Sequence, residues 1–235
     1  MSADWIREWL RVSAAGISAR SEWLTDLDAA IGDGDHGINL DRGFRRVLET
    51  LDRPETASLE AGDLVAAAGR SIMGTVGGAS GALYGRALLR AGGAVSQAAS
   101  VSSGDPPEAT LATPLALVSA AFDVAVDAIA SLGRSQPGDK TMLDALVPAA
   151  ESIRESLGRS AALQDALRRA ADAAEEGLEA TRPLVARRGR ASYLGERSAG
   201  HLDPGAASCA LLIRALAETA RGRDGRHGRT RGGGD

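Results

Sequence analysis

Three aspartates fall within eight residues in the segment Leu27-Asp-Ala-Ala-Ile-Gly-Asp-Gly-Asp-His-Gly-Ile-Asn39. Asp33 and Asp35 are two apart, so in an extended stretch they point the same way. Three ionised carboxylates converging on one point repel each other, and a hard divalent cation removes that repulsion. Magnesium takes carboxylate oxygens, keeps several waters and shares its remaining sites with substrate phosphates. The same residues suit a polar turn, because Asp-Gly pairs make turns and Asp28 could end a helix. Spacing alone weighs the two readings evenly.

Three further segments could complete such a site. Ser71-Ile-Met-Gly-Thr-Val-Gly-Gly-Ala-Ser-Gly-Ala-Leu-Tyr84 is glycine-rich. Glycines let backbone N–H groups approach an anion. Ala79 and Ser80 would open a helix whose first amides lack internal acceptors, which suits phosphate. A tight helix–helix crossing explains the same glycines, and on this segment alone explains them slightly better. Gly138-Asp-Lys-Thr-Met-Leu-Asp144 reads first as a helix start capped by Asp139 or Thr141. Met142 fits a core position or the face of a flat base. Residues 187–205 form a long polar loop that carries Arg187, Arg188, Arg190 and Arg197. The planar arginine fork suits phosphate, and Asp203-Pro204-Gly205 reads as an N-cap with proline at N1. A solvated loop ending in a cap explains the end of this segment but not its arginine density.

Familiar motifs fit superficially and fail. Gly32-Asp-Gly-Asp-His-Gly37 spells G-x-G-x-x-G, but no strand of a βαβ unit precedes it. Counted from Asp33 as a calcium loop, the sixth position is Ile38 and the twelfth is Phe44, where glycine and glutamate are required. Gly133 to Thr141 nearly spells a P-loop, but Asp139 intrudes before Lys140 and again no strand precedes.

Such loops need a rigid frame, and the frame reads as helical throughout. Leu115, Val118, Phe122, Val126, Ile129 and Leu132 recur three or four apart. Leu163, Leu167, Ala170, Ala171, Ala174 and Leu178 make a second stripe, and Cys209, Leu212, Ile213, Leu216, Ala217 and Ala220 a third. The spacing predicts helices over 3–25, 38–53, 58–72, 79–98, 111–134, 140–157, 160–185 and 204–221. Eight helices without a convincing strand imply an all-α bundle or helical barrel. The loops are spread along the chain, so a bundle could gather them at one end. Hydrophobic residues make up 44% of the 235 residues and aromatics only 3%, which suits closely packed helices with an Ala, Leu and Val core.

The net charge of −4 carries no nucleic-acid signature. The Arg- and Gly-rich stretch 221–235 has no apolar periodicity and reads as a frayed tail beyond a domain at 1–220. Cys209 is the only cysteine, so an internal disulfide or cysteine-based zinc site is excluded, and its neighbours suit a small buried hydrophobe. The N-terminus does not read as a signal peptide, and no apolar run reads as long enough to span a bilayer. A cytoplasmic protein with no membrane and no nucleic-acid partner is expected.

Four motifs stand in a fixed order: Asp-Gly-Asp-His-Gly (33–37), Gly-Gly-Ala-Ser-Gly (77–81), Gly-Asp-Lys-Thr-Met-x-Asp (138–144) and Gly-Arg-Ala-Ser-Tyr-Leu-Gly-Glu-Arg-Ser-x-Gly-His-x-Asp-Pro-Gly (189–205). In these the chain resembles the ADP-binding L subunits of dihydroxyacetone kinase, from about residue 5 to 220. Gly34 is a small departure, since some relatives carry alanine there, and it leaves the carboxylates in place.

The resemblance implies an antiparallel eight-helix barrel with the nucleotide at one end. It implies that Asp28, Asp33 and Asp35 hold two magnesium ions. His36, Gly37, Ile38 and Asn39, with Ala79 and Ser80, would contact phosphates and ribose, and His36 would stabilise the transferring group. Gly133 and Met142 would line the adenine pocket, and Arg190 with Asp203, Pro204 and Gly205 would complete the nucleotide site. The implied activity is magnesium-dependent phosphoryl transfer from bound ATP to dihydroxyacetone carried by a histidine of a separate K subunit. A phosphotransferase-system protein could recharge bound ADP, or free ATP could exchange, and a homodimer is compatible. Alternatives are a kinase subunit for another ketose such as erythrulose, a fatty-acid kinase module, and a non-catalytic regulator binding a transcription factor. The fatty-acid kinase reading expects an acyl-carrier region after the domain, where this sequence has a short tail.

Overall fold

Pairs of small residues at helical spacing let the helix backbones approach closely. A Cβ placed on Gly69 would lie 2.8 Å from the carbonyl oxygen of Gly85 and 2.8 Å from the amide of Leu89 on the facing helix. That contact belongs to the most intimate helix pair in the molecule. Alanine, leucine and valine fill most of the remaining core, while Trp5, Phe44 and Tyr84 are its buried aromatics among the described residues.

The computed structural model describes residues 1–101 and 113–221. Most of the expected tail and the first residues of the helix expected from 111 lie outside them. Among the described residues there are nine α-helices and no strand: α1 (Ala3–Ala19), α2 (Ser21–Ile31), α3 (His36–Leu51), α4 (Ala61–Thr75), α5 (Gly78–Val101), α6 (Pro114–Gly133), α7 (Leu143–Gly158), α8 (Leu163–Ala180) and α9 (Pro204–Arg221). Two 3₁₀ segments, Pro54–Thr56 and Arg190–Ser198, lie in the connections.

Eight of these helices close a ring. α1 packs on α3, then α3 on α4, α4 on α5 and so on in chain order to α9, which packs back on α1. The closing seam is polar as well as apolar. Trp5 Nε1 donates to Thr219 Oγ1 (3.0 Å), and Trp9 Nε1 donates to the carbonyl of Leu212 (3.0 Å). Directions alternate around this antiparallel barrel, so alternate connections fall at the same end. Residues 32–35, 76–77, 134–142 and 181–203 therefore share one end, while 52–60 and 159–162 lie at the other. The short helix α2 is outside the ring, packed on α3, α9 and the second 3₁₀ segment at the loop-rich end.

The expected eight-helix barrel is thus present, with a corrected start. The helix expected over 3–25 is two helices, α1 and α2, broken at Arg20 (φ −114°, ψ 10°), whose N–H turns back to the carbonyl of Ile17 (3.2 Å). No glycine or proline marks the break. The helix expected from 140 begins at Leu143, and the one expected to reach 185 ends at Ala180.

A second correction concerns α6. Its 20 residues have a mean hydropathy of 1.9 in their most apolar window, so by length and composition one described helix could cross a membrane. Asp123 and Asp127 interrupt the apolar run, which is why no span is apparent from uninterrupted apolar stretches. In the fold α6 packs between α5 and α7, and Asp123 pairs with Arg154 of α7 (3.1 Å). The ring interior keeps an apolar cavity of about 120 Å³, with Ile6, Val65, Ala91, Phe122 and Leu212 among its walls.

The close α4–α5 packing makes Gly69→Ala destabilising, by about 1–3 kcal/mol through overpacking. Gly93→Ala, on the exposed side of α5 with no atom within 4 Å of the added methyl, is expected to stabilise by about 0.4–1 kcal/mol. Urea denaturation of both variants checks the opposite signs.

Candidate functional site

Asp28 sits in the last turn of α2, and the chain turns sharply after Ile31. Gly34 takes a positive φ of 72° between Asp33 and Asp35. The Asp28 carboxylate accepts the amides of Asp35 (2.9 Å) and His36 (3.2 Å) through Oδ2, so it holds the turn that presents its two neighbours. One carboxylate oxygen each from Asp28, Asp33 and Asp35 lies within 4.8 Å of the others. Asp28 is buried, while Asp33 and Asp35 are exposed. The acidic loop is therefore both a turn and a convergent carboxylate cluster. An all-oxygen anionic donor set of this size fits a hard divalent cation such as magnesium.

Facing the cluster is the start of α5. Gly78 takes a positive φ of 66°, and Gly77 and Gly78 have open space where a Cβ would stand. Gly81 instead lies against the carbonyl of Val76, with no room for a side chain. Gly77 and Gly78 thus open onto the pocket, while Gly81 packs against the end of α4.

His36 joins these elements. It is buried at the first position of α3, with Nδ1 3.1 Å from Ser80 Oγ and Nε2 2.9 Å from Ser208 Oγ. Ser208 Oγ is 2.6 Å from the Tyr84 hydroxyl and donates to the carbonyl of Gly205 (3.0 Å). Burial lowers the His36 pKa, opposed by the carboxylates of Asp28 and Asp35 and by the Pro204 carbonyl. Burial raises that of Tyr84 well above the ordinary phenol value, aided by Cys209. Cys209 is itself buried as expected, and burial pushes its thiol up to about 12.

The remaining walls come from the connections after α6 and α8. Asp144 folds back to accept the amides of Gly138 and Thr141 (2.7 Å from Thr141), while Asp139 accepts the amide of Gln136 (3.0 Å). The expected capping is thereby corrected. Asp144 closes the loop, Thr141 Oγ1 accepts only the amide of Leu143 (3.2 Å), and Asp139 holds a turn before the helix. Arg190 Nη2 reaches Asp33 Oδ2 (3.0 Å) from the far side. Asp203 caps α9 as expected, accepting the amide of Ala206 (2.7 Å), with Pro204 at the first helical position.

One pocket of about 250 Å³ unites these parts. Asp28, Asp33, Asp35, His36, Asn39, Ala79 and Ser80 line it on one side. Gly133, Met142, Arg190, Asp203, Pro204 and Gly205 line it on the other. Two expected residues do not. Gly37 is buried where a Cβ would strike the Ser21 carbonyl of α2, and Ile38 is 59% exposed outside the pocket wall. Met142 lines both this pocket and the apolar interior. Sequence reasoning passed over Tyr84, Ser208 and Lys140. Tyr84 and Ser208 are single polar residues inside apolar helical stripes, and Lys140 lies in a motif read only as a helix start.

The arrangement defines a class: an all-helical domain that gathers a convergent carboxylate cluster and a glycine-opened helix N-terminus in one pocket. The DAK2 domain model matches residues 30–218, and the chain belongs to the DAK2 domain family. It is 39% identical over 221 residues to the ADP-binding subunit DhaL of the PEP-dependent dihydroxyacetone kinase of Escherichia coli K12, covering 94% of this chain and 99% of that one. It is 38% identical over 195 residues to an L-erythrulose 1-kinase of Mycolicibacterium smegmatis, covering 83% of this chain and 32% of that protein. Among solved structures it matches the dihydroxyacetone kinase of C. freundii in complex with AMP-PNP and Mg²⁺, with a TM-score of 0.63 and 27% identity over 90% of this chain. The chain spans about a third (33%) of the length of that kinase.

Full burial pushes the Asp203 carboxyl up to about 7, with the Ala206 amide opposing, Asp144 adding, Lys140 opposing and Asp28 adding. A folded value above the unfolded 3.8 gives stability that is complete below pH 3.8 and lost as pH rises through about 7. Asp203→Asn keeps a cap-forming side chain and removes that loss. Its melting temperature relative to wild type is expected to rise between pH 5 and pH 8, as thermal melts at the two values would report.

Proposed function

We propose that the chain is the nucleotide-binding subunit of a dihydroxyacetone kinase. It would act in the cytoplasm with a separate K subunit that carries the sugar. The observation that carries this reading is the single pocket in which three converging carboxylates face the open start of α5. Kinship with ADP-binding subunits and with a kinase that binds AMP-PNP and Mg²⁺ supports it. Residues 1–220 form the working domain.

Asp28, Asp33 and Asp35 would hold the magnesium ions, two by family resemblance. When bound, they would supply positive charge that neutralises the nucleotide phosphates. The chain's own groups do the positioning, which dominates phosphoryl transfer because little covalent work falls to the protein. The amides at Ala79 and Ser80 begin α5 and lack intrahelical acceptors, so they donate to phosphate oxygens. Asn39, on the pocket wall beside His36, would add a polar contact to phosphate or ribose. His36 stands at the phosphate end with both ring nitrogens hydrogen-bonded, and acts there by orienting the Ser80 hydroxyl. Gly133 and Met142 receive the base. Arg190 delivers its planar fork to the phosphates from the opposite wall, and the Asp203-Pro204-Gly205 turn closes the site.

The donor is best read as a phosphotransferase-system protein that recharges bound ADP, since the E. coli relative is PEP-dependent. The kinship to an erythrulose kinase favours a second reading, another ketose. In either case the partner subunit that holds the sugar selects it, and this pocket is unchanged.

Calorimetric titration with ADP tests the reading, first in magnesium and then in chelator. Tight binding that disappears with chelator is expected. Asp33→Ala should weaken magnesium-dependent ADP binding by at least about tenfold, ~1.4 kcal/mol, with its helical circular dichroism retained. Unchanged affinity in that variant would remove the metal assignment.

A further inference from the structure

Lys140 is the least expected group in the molecule. Its side chain is 1% exposed, and its backbone takes a left-handed φ of 62°, a conformation that non-glycine residues seldom adopt. Among the described residues no carboxylate lies within 4 Å of its ammonium. All three hydrogen bonds from Nζ go to backbone carbonyls: Thr181 (2.8 Å), Leu184 (3.2 Å) and His201. Three donors meet three acceptors, as the ammonium's geometry allows. A buried cation without such partners would be strongly unfavourable. Burial keeps its pKa below the ordinary lysine value, with Asp203 opposing, Arg182 adding and Asp144 opposing.

The positions of those carbonyls matter. Thr181 and Leu184 lie where the chain leaves α8, and His201 where it returns to α9. Between them runs the excursion that brings Arg190 to the pocket and ends at Asp203. Its base is closed by the Gly200 amide to the Arg182 carbonyl (2.7 Å) and by the Asp203 amide to Thr181 Oγ1 (3.0 Å). The residue beside Lys140 adds a further tie, as the Arg187 amide donates to the Asp139 carbonyl (3.0 Å). Lys140 thus touches the departing strand of chain, the returning one, and the segment that carries Met142.

We propose that Lys140 is a positioning residue of the nucleotide site. Its ammonium does what a structural cation would do, clamping both feet of the 182–203 excursion onto the 138–142 segment so that the two pocket walls keep a fixed separation. This rests on the nucleotide reading of the pocket. A donor-free side chain of equal length would leave three carbonyls buried without partners and let the excursion drift. Displacements of the order of 1 Å at positioning groups weaken function by about 10²-fold.

The test uses the full chain and three measurements on Lys140→Met, which keeps the buried stem. ADP affinity in magnesium is expected to fall by about tenfold or more. Amide hydrogen exchange should quicken within 184–203 and stay unchanged in α4 and α5. In Lys140→Ala, ethylammonium should restore ADP affinity while tetramethylammonium, which has no N–H donor, does not. Affinity within about twofold of wild type, or exchange that quickens equally in every helix, overturns the proposal. A Lys140→Met chain that does not fold overturns it too, because the lysine would then serve the fold as a whole. If wild type binds no ADP, the nucleotide reading fails, and the exchange pattern alone still judges whether Lys140 clamps the excursion.

Discussion

A ring of helices that alternate in direction has two ends, and every second connection must fall at the same one. That constraint does more than any single contact to create the site. Four segments separated by up to about 170 positions of chain meet because α1 closes on α9 and the helices between them alternate. The seam is therefore as important to function as the pocket. Trp5 and Trp9 each fill apolar volume and spend their one N–H on α9. Close packing at glycines such as Gly69 keeps the ring narrow enough for facing connections to touch.

The two ends then divide the physical work. Away from the pocket the ring is apolar packing of small residues, with ion pairs such as Asp123–Arg154 on its outer surface. At the loop end lie buried groups that burial disfavours in charged form: His36, Lys140 and Asp203. Each is tolerated because specific partners surround it. Ser80 and Ser208 hold His36, three carbonyls hold Lys140, and the α9 amide at Ala206 opposes the rise in Asp203. Polar networks of this kind are unfavourable when partly satisfied and rigid when complete.

Much of this is legible in the amino-acid sequence. The loops announce themselves because their backbones need unusual residues. Gly34, Gly78, Gly138, Gly189, Gly195 and Gly200 all take positive φ, and each stands in one of the four quoted segments. The carboxylates are legible because three like charges at short spacing need a reason. What the sequence does not show is where local signals fall silent. The break at Arg20 has no glycine or proline, so periodicity runs through it. Ser208 sits in the alanine-rich stripe of α9, and nothing near it signals that its hydroxyl holds His36 from 172 residues away. Lys140 looks like a surface lysine until its three carbonyls, 41 to 61 residues distant, are seen around it. Long-range partners of single polar residues leave no periodic trace.

The charge arrangement at the pocket also bears on what the site could bind. Arg190 is the cation seen against the carboxylate cluster, and it is 68% exposed. Exposed ion pairs contribute about 0–1 kcal/mol, too little to offset three carboxylates whose oxygens lie within 4.8 Å. Repulsion among the three carboxylates is therefore not offset by this pair. A divalent cation held there would remove that repulsion, and an anion brought with it would give Arg190 and the α5 amides partners. Such binding would stabilise the folded form by an amount that grows with the logarithm of ligand concentration over Kd. The carboxylates that repel one another in the free chain are thus the groups that a bound cation would hold together.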